Sequence, residues 1–345
     1  MILPNLKLRN VIRVQDIMKT YLEKAKIGRK QTFKNMAIFP VHSTYSADLD
    51  YLLLDEALSD EVIEVVEVDE DGSVPELKVV NRSSRMILIL DGEELVGARQ
   101  NRIVNTTIMI QGKATTVIPV SCVEQGRWSY DSPRFHSEHR IMSSGLRAMK
   151  SEQVQFSLRS SGDYRSNQSA IWDEISEKAE RRGARSHSMA MAEIYEKDRP
   201  SMQGYLRHFR LIDLQIGAIF MINGTVVGMD SFGKVDSFSK VFHKLVESYA
   251  LDAVDWFEPE KEHKSLKKEV TRFITASQSS KTETRLSVGL GTDCRMESKK
   301  ITGFALLLDD QILHLCLFPK GNGTGRNKTG SRMRRYTQRR QNRVF

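Results

Sequence analysis

The sequence has little of what marks fibrous, disulfide-bonded or membrane-spanning proteins. Its 345 residues include three cysteines, none at a CxxC spacing, which excludes a disulfide framework and favours a reducing compartment. Eight prolines and 21 glycines are too few for a collagen-like or wholly disordered chain. No apolar run reaches the about 18 residues of a membrane span, and Lys7, Arg9 and Arg13 interrupt the start, where a secretory signal would be apolar. We therefore expect a cytoplasmic globular protein with no membrane partner.

The formal net charge of +8 comes from one end of the chain. Residues 320–345 contain nine basic residues and no acidic residue, so the rest of the sequence is close to neutral. A block of like charge with almost no aliphatic side chains cannot bury enough surface to offset its ordering entropy. We therefore predict a disordered basic tail over residues 320–345. Such a tail either recruits nucleic acid or another polyanion, or serves only to keep the chain soluble.

Hydrophobic periodicity divides the remainder of the chain. Apolar residues at helical spacing predict an amphipathic helix in residues 1–31, which we interpret as a helical N-terminal extension. Residues 32–319 are predicted to form a single α+β domain. Within it, residues 32–130 contain short apolar runs typical of strands. Residues 131–167 are polar without periodicity, which predicts a long loop, and residues 168–319 mix helical and hairpin patterns.

Two-residue turns between apolar runs predict antiparallel hairpins in this domain. A long amphipathic helix follows one of them, with apolar residues at i, i+3 and i+4 spacing from Phe238 to Ala250. The fold class is therefore predicted to be α+β, with antiparallel β-hairpin sheets covered by helices mainly from the C-terminal half. The turn pairs are Asp91-Gly92, Asn223-Gly224 and Asp309-Asp310.

Two polar segments carry the candidate chemistry, DGEELVGARQNRIVN at 91–105 and PVSCVEQGRW at 119–128. Glu93 and Glu94 lie on opposite faces of an extended strand, so only one can face a site, and we favour Glu94. Glu124 ends an apolar strand face and therefore needs a cationic partner. Because a desolvated carboxylate has a tunable pKa, Glu94 and Glu124 are the candidate catalytic residues. The alternatives are a surface position for Glu94 and a structural buried ion pair for Glu124.

Amide and guanidinium side chains in the same segments provide candidate ligand contacts. Such groups can bind a base edge, a ribose hydroxyl or a phosphate, and an aromatic side chain can stack a nucleobase. The partner of Glu124 is expected to be Arg102 or Arg127. Backbone capping by the amides and core packing of the aromatic ring remain the alternatives. No metal site and no cofactor are predicted. The candidate ligand-binding residues are Gln100, Asn101, Arg102, Asn105, Arg127 and Trp128.

These two segments closely resemble the ARG-and-rhodanese-phosphatase-superfamily-associated domain family. The resemblance extends from about Lys34 to Pro319, and the N-terminal helix and basic tail lie outside it. The family name implies an association with ADP-ribosylglycohydrolases and with rhodanese- or phosphatase-like proteins. By that association only, it implies an ADP-ribose-like or other phosphorylated nucleoside ligand. Further matching motifs are FPV at 39–41, LDEAL at 54–58 and SYALDA at 248–253.

Two functions are consistent with these residues. The first is a cytoplasmic domain that binds an ADP-ribose-like or other phosphorylated nucleotide derivative and could also hydrolyse or transfer it. The alternative is a non-enzymatic interaction or sensor protein, in which the polar motifs fix the sheet and the basic tail recruits nucleic acid or another polyanion. Whether the protein is an enzyme stays open at this point.

Overall fold

The structure, a computed structural model, describes residues 3–69, 75–127, 132–184 and 188–321. The helices in these ranges are α1 (Leu3–Lys24), α2 (Leu54–Ser59), α3 (Ser144–Ser160), α4 (Gln168–Arg182), α5 (Ala192–His208), α6 (Val235–Asp255) and α7 (Lys267–Gln278). The strands are β1 (Lys26–Ile27), β2 (Gln31–Phe33), β3 (Met36–His42), β4 (Tyr51–Leu53), β5 (Ile63–Glu67), β6 (Glu76–Asn81), β7 (Met86–Ile89), β8 (Glu93–Gly97), β9 (Arg102–Val104), β10 (Ile108–Ile110), β11 (Thr115–Cys122), β12 (Phe135–Ile141), β13 (Gln215–Ile222), β14 (Thr225–Phe232), β15 (Lys281–Leu286), β16 (Thr292–Glu297), β17 (Ile301–Leu308) and β18 (Gln311–Pro319).

Three sheets organise these strands. The largest has nine strands in the order β1-β3-β13-β14-β18-β17-β16-β15, with β2 paired to β3. A six-stranded sheet runs β12-β8-β9-β11-β6-β5, and a three-stranded sheet runs β10-β7-β4. All the named strand pairs are antiparallel except β4 with β7. The predicted α+β class is therefore confirmed.

Helix α6 packs on the nine-stranded sheet as its sequence pattern predicts. Phe238, Val241, Leu245 and Tyr249 are buried on one face because they recur at helical spacing. The ring of Tyr249 stacks on that of Phe220 in β13, with centroids 3.7 Å apart and planes 5° apart. Complete burial of each such side chain stabilises the fold by about 1.5–3 kcal/mol.

The predicted amphipathic helix near the N terminus is α1, which packs on the nine-stranded sheet in a hydrophobic cluster that also includes residues of α7. Met18, Tyr21 and Leu22 are almost fully buried in this cluster. The Tyr21 hydroxyl lies 2.6 Å from Ser231 Oγ and donates to the Phe232 carbonyl at 2.9 Å. The extension therefore contributes apolar and hydrogen-bonded contacts to the sheet.

Of the hairpins predicted at the three turn pairs named above, two are confirmed. Strands β13 and β14 pair around Asn223-Gly224, and β17 and β18 pair around Asp309-Asp310. The Asp91-Gly92 hairpin is wrong, because β7 pairs with β4 and β10 whereas β8 pairs with β9 and β12. A type I′ turn needs a positive φ at both central residues. Of this pair only Gly92 has one, at 81°.

The prediction of a long polar loop over residues 131–167 is also wrong. This range contains β12 and the 17-residue helix α3. The buried side chains of α3 include Arg147, Lys150, Ser151 and Gln155. The buried apolar residues of α3 are only Leu146, Val154 and Leu158. Because charged and polar residues occupy the rest of the buried face, the apolar periodicity is too weak to indicate a helix.

The basic tail falls almost entirely outside the described residues. Only Lys320 and Gly321 of residues 320–345 are described, and Lys320 forms an ion pair with Glu297. The predicted disorder of this tail therefore stays a prediction. None of the helices in the described ranges has both the length and the hydrophobicity to cross a membrane.

Candidate functional site

The two polar segments lie side by side in the six-stranded sheet. Arg102 opens β9 and pairs in register with Cys122, which ends β11. The loop that precedes β9 therefore meets the loop that follows β11. This pairing brings five of the predicted site residues into one hydrogen-bonded group, which we call the Glu124 network. Its members are Gln100, Asn101, Arg102, Cys122, Glu124 and Arg127.

An ion pair between Glu124 and Arg127 forms the centre of this network. Glu124 Oε2 accepts hydrogen bonds from Arg127 Nη2 at 2.7 Å and Nε at 3.0 Å. It also accepts from the backbone N–H of Asn101 at 3.1 Å. Arg127 Nη1 donates to the Ala98 carbonyl at 2.8 Å, and Nη2 donates to Asn101 Oδ1 at 3.0 Å. Of the two predicted partners, Arg127 is therefore the one that Glu124 binds.

Gln100 connects this ion pair to the strand interior. Its Nε2 donates to the Glu124 carbonyl at 2.8 Å. Its Oε1 accepts from Arg102 Nη1 and from Cys122 Sγ, both at 3.1 Å. Burial is the largest influence on the Cys122 thiol and raises its pKa, so the thiol stays protonated at neutral pH.

Glu124 is held in its ionised form. Burial opposes ionisation, but hydrogen bonds from Arg127, Ser188 and the Asn101 backbone outweigh it and lower the pKa of Glu124. The side chain of Arg127 keeps 19% of its surface exposed, whereas that of Arg102 is fully buried. Arg127 is therefore the solvent-facing edge of the network. Arg102 lies beneath it and, in this conformation, does not reach a ligand in solvent.

Glu94 lies outside this hydrogen-bonded group, fully buried on β8. Neither of its carboxyl oxygens has a hydrogen-bond partner among the described residues. The nearest cation is Arg140, whose Nη1 lies 3.9 Å from Glu94 Oε2. Burial raises the pKa of Glu94 to about 7 against the attraction of Arg140, and the charge of Glu124 adds to the rise. Glu94 is therefore a neutral or half-ionised acid at neutral pH, whereas Glu124 is ionised.

The two glutamates at the start of β8 face opposite sides, as predicted, but both are buried. Glu93 accepts from the Leu90 N–H at 2.7 Å and forms an ion pair with Lys244 of α6. We predicted that Glu94 would face inward, which its burial matches, but Glu93 is buried as well. Which of the two faces a site stays a prediction. The strand lies between packed elements on both faces, so alternation along it did not separate a solvent face from a core face.

A β-bulge brings Arg140 towards Glu94. In the pairing of β12 with β8, Ser137 faces Leu95 and Ile141 faces Glu93, so residues 138–140 are opposite Glu94 alone. His139 adopts a positive φ of 55° within the bulge. Bulges of this kind occur near functional sites because they redirect a side chain. Arg140 also forms an ion pair with Glu196 of α5.

Two predicted ligand-binding residues are not part of this group. Asn105 lies beyond the other end of β9, where its Nδ2 donates to the Tyr164 carbonyl at 3.0 Å and its Oδ1 accepts from Ser121 Oγ at 2.7 Å. Its contacts match the capping alternative. Trp128 lies outside the described residues.

The sequence patterns did not indicate a set of buried charges on α3 and its neighbours, which we call the α3 charge cluster: Asp91, Arg147, Lys150, Asp230 and His314. Arg147 donates to both Asp230 oxygens, and Lys150 forms an ion pair with Asp91. His314 lies 3.3 Å from Asp230 Oδ1. The paired residues of this cluster are 56 to 84 positions apart in sequence, so no local spacing could have indicated it.

The α3 charge cluster is closed to solvent. Every member has at most 1% of its side chain exposed. Burial opposes ionisation of Asp230, but Arg147 and His314 lower the pKa of its carboxyl below the usual range. Breaking one partner of such a buried pair costs about 3–5 kcal/mol. The cluster therefore fixes α3 against the nine-stranded sheet. In the described ranges, no three His, Cys, Asp or Glu side chains are grouped as metal ligands.

Comparison with known proteins places the chain by sequence. The family model of the ARG and Rhodanese-Phosphatase-superfamily-associated Protein domain matches residues 24–318. Comparisons with curated proteins and with solved structures found no significant match. The match covers most of the chain and includes the Glu124 network, Glu94 and the α3 charge cluster. The chain belongs to the ARG and Rhodanese-Phosphatase-superfamily-associated Protein domain family.

Proposed function

We propose that this domain binds an ADP-ribose-like or other phosphorylated nucleotide derivative at the exposed edge of the Glu124 network, and that Glu94 and Glu124 act on it as an acid and base pair. The observation that carries the proposal is Glu94. A buried carboxyl group without a hydrogen-bond partner is unfavourable for stability. Such groups are concentrated where function requires them.

The two carboxyl groups have complementary protonation states. Glu94, with a pKa of about 7, keeps a proton available at neutral pH, whereas the lowered pKa of Glu124 keeps that residue ionised. Pairs whose environments separate their pKa values in this way suit acid and base roles. In hydrolysis of a glycosidic bond, Glu94 would protonate the leaving group, which requires a movement that exposes this fully buried side chain. Glu124 would take the proton of the attacking water.

A phosphate group would bind at the cationic edge of the network. Arg127 is partly exposed and already oriented by Glu124 and Asn101. Arg99, also partly exposed, lies in the same loop. Guanidinium groups bind phosphate oxygens through charge-assisted hydrogen bonds, which contribute about 1.5–3 kcal/mol each. The ADP-ribose part of the proposal comes from the family name alone.

The closed geometry of the network favours a second candidate function. Its polar groups form hydrogen bonds with one another, since Gln100 and the Asn101 backbone both donate to Glu124. Such internal hydrogen bonds are typical of a purely structural role. In that case the domain would be a non-enzymatic interaction or sensor protein. The basic tail would then recruit nucleic acid or another polyanion.

Ligand binding and turnover distinguish the two candidates. The full-length protein should be stabilised by ADP-ribose, NAD or a phosphoribosyl compound in a thermal shift assay, and product formation should be followed in parallel. Glu124→Gln and Arg127→Gln should each weaken binding roughly tenfold or more, whereas Glu94→Gln should abolish turnover with little change in binding. The control is Glu180→Gln, an exposed glutamate on α4. No response to any of these compounds at millimolar concentration would favour the interaction protein.

A further inference from the structure

A groove at the β1 end of the nine-stranded sheet is lined by three basic residues and no acidic residue. It has a volume of about 490 Å³ and lies between the β1–β2 segment and the start of α7. Arg29, Lys30 and Lys267 line it, and none of its lining residues is acidic. All three of these side chains belong to exposed residues.

None of these three cations forms an ion pair with a described residue. Lys30 Nζ donates to the Ser265 carbonyl at 2.9 Å, which bridges the two walls but leaves its charge uncompensated. A neighbouring groove of about 540 Å³ along α1 contains Arg13, which binds Asp310. This second groove differs because acidic residues line it as well, Asp16 and Asp310. The charge of the β1 groove is therefore available to an external anion.

The remaining surface of the groove is apolar. Ile27 and Leu266 line it, and Phe39 of β3 forms part of its floor. The first backbone N–H groups of α7, which begins at Lys267, have no side-chain cap and add positive partial charge at the same wall. The volume falls within the about 300–1,000 Å³ of small-molecule sites. The aromatic floor is 2% exposed, so it offers no surface for stacking successive nucleic acid bases.

We propose that this groove binds a small phosphate ester that carries an apolar group. Arg29, Lys30 and Lys267 would hold the phosphate, and Ile27 and Leu266 would contact the apolar part. A free phosphorylated metabolite and the headgroup region of an anionic lipid share this chemistry. The site is separate from the Glu124 network, so it does not depend on the function proposed above.

Titration of the full-length protein with hexyl phosphate, followed by calorimetry, tests this site. The wild type should bind, and the affinity should fall with added salt. The double variant Arg29→Gln/Lys267→Gln should weaken binding roughly tenfold or more. Lys299→Gln, which changes an exposed lysine on the β16–β17 turn, should not. Glu124→Gln should also leave this binding unchanged, which separates the groove from the proposed nucleotide site.

A second arm distinguishes the two sources of the phosphate ester. Lipid binding is measured by sedimentation with vesicles of phosphatidylcholine and phosphatidic acid. The wild type and the same variants are compared. Hexyl phosphate binding without vesicle binding, lost in the double variant, supports a free metabolite. Vesicle binding without hexyl phosphate binding, again lost in the double variant, supports a lipid. Absence of both, or an equal loss in Lys299→Gln, would overturn the proposal.

Discussion

Arg147 of α3 binds Asp230 of β14 through two hydrogen bonds, at 2.7 and 3.1 Å, and both side chains are buried. The hydroxyl of Tyr249 donates to the same carboxylate at 2.9 Å. A helix with a polar buried face is therefore fixed to the sheet by directed, charge-assisted bonds. The packing of α3 on the sheet therefore depends on each of the side chains that form these bonds.

Replacing Arg147 should destabilise the fold severely. Arg147→Met leaves the Asp230 carboxylate buried without its main cation, so we expect a loss of about 3–5 kcal/mol in the free energy of unfolding. The measurement is denaturation by urea. The control is Arg159→Met, which removes a partly exposed cation from the same helix and should cost less than about 1 kcal/mol. Equal losses in the two variants would contradict a structural role for the α3 charge cluster.

Glu94 should make stability fall as the pH rises. The pKa of its carboxyl group is raised from the ordinary 4.5 to about 7, so between these values the folded state binds more protons than the unfolded state. Glu94→Gln removes this titration. From pH 4.5 to 8 the variant should gain about 3 kcal/mol relative to the wild type. Denaturation curves at several pH values measure this gain in the free energy of unfolding. A difference between the two proteins that does not change with pH would show that the pKa of Glu94 is not raised in the folded state.

Glu124 should show the opposite pH dependence. Its pKa is lowered in the folded state, so its stabilising effect is present at neutral pH and is lost as the pH falls through the folded pKa. Glu124→Gln should therefore cost about 1–3 kcal/mol at pH 7. The difference should shrink as the pH falls below 4.5, the ordinary value for this group. Glu180→Gln serves as the control and should follow the wild type throughout.

Removal of the basic tail should separate folding from polyanion binding. A protein that ends at Gly321 keeps the ion pair between Lys320 and Glu297, so its melting temperature should stay within a few degrees of the wild type. It should lose salt-sensitive retention on DNA and RNA, because eight of the nine basic residues of 320–345 are gone. Retention that survives the truncation would place the binding surface on the remaining residues.

Features that depend on neighbours in sequence were predictable. The hairpin at Asn223-Gly224 follows from the backbone freedom of those two residues, and α6 follows from its apolar spacing. The Glu124–Arg127 pair was among the expected contacts because its members are three positions apart. Local chemistry was enough in these cases.

Features that depend on distant partners were not predictable. The buried face of α3 looks like solvent-facing sequence until Asp91 and Asp230 are placed against it. Arg102 and Arg127 are chemically equivalent in the sequence. The strand register decides that Arg102 is buried beside Gln100 and that Arg127 reaches solvent. Side-chain accessibility of this kind comes from tertiary packing, which composition and spacing do not encode.

The order of strands in the largest sheet has a consequence for biosynthesis. β18 inserts between β14 and β17, so it is central in space although it is the last described strand of the chain. Until residues 311–319 have left the ribosome, β14 pairs with β13 but lacks β18 on its other edge, and Asp230 lacks His314. An unpaired strand edge of this kind is prone to association with other chains. The nascent protein therefore exposes that edge until β18 has left the ribosome.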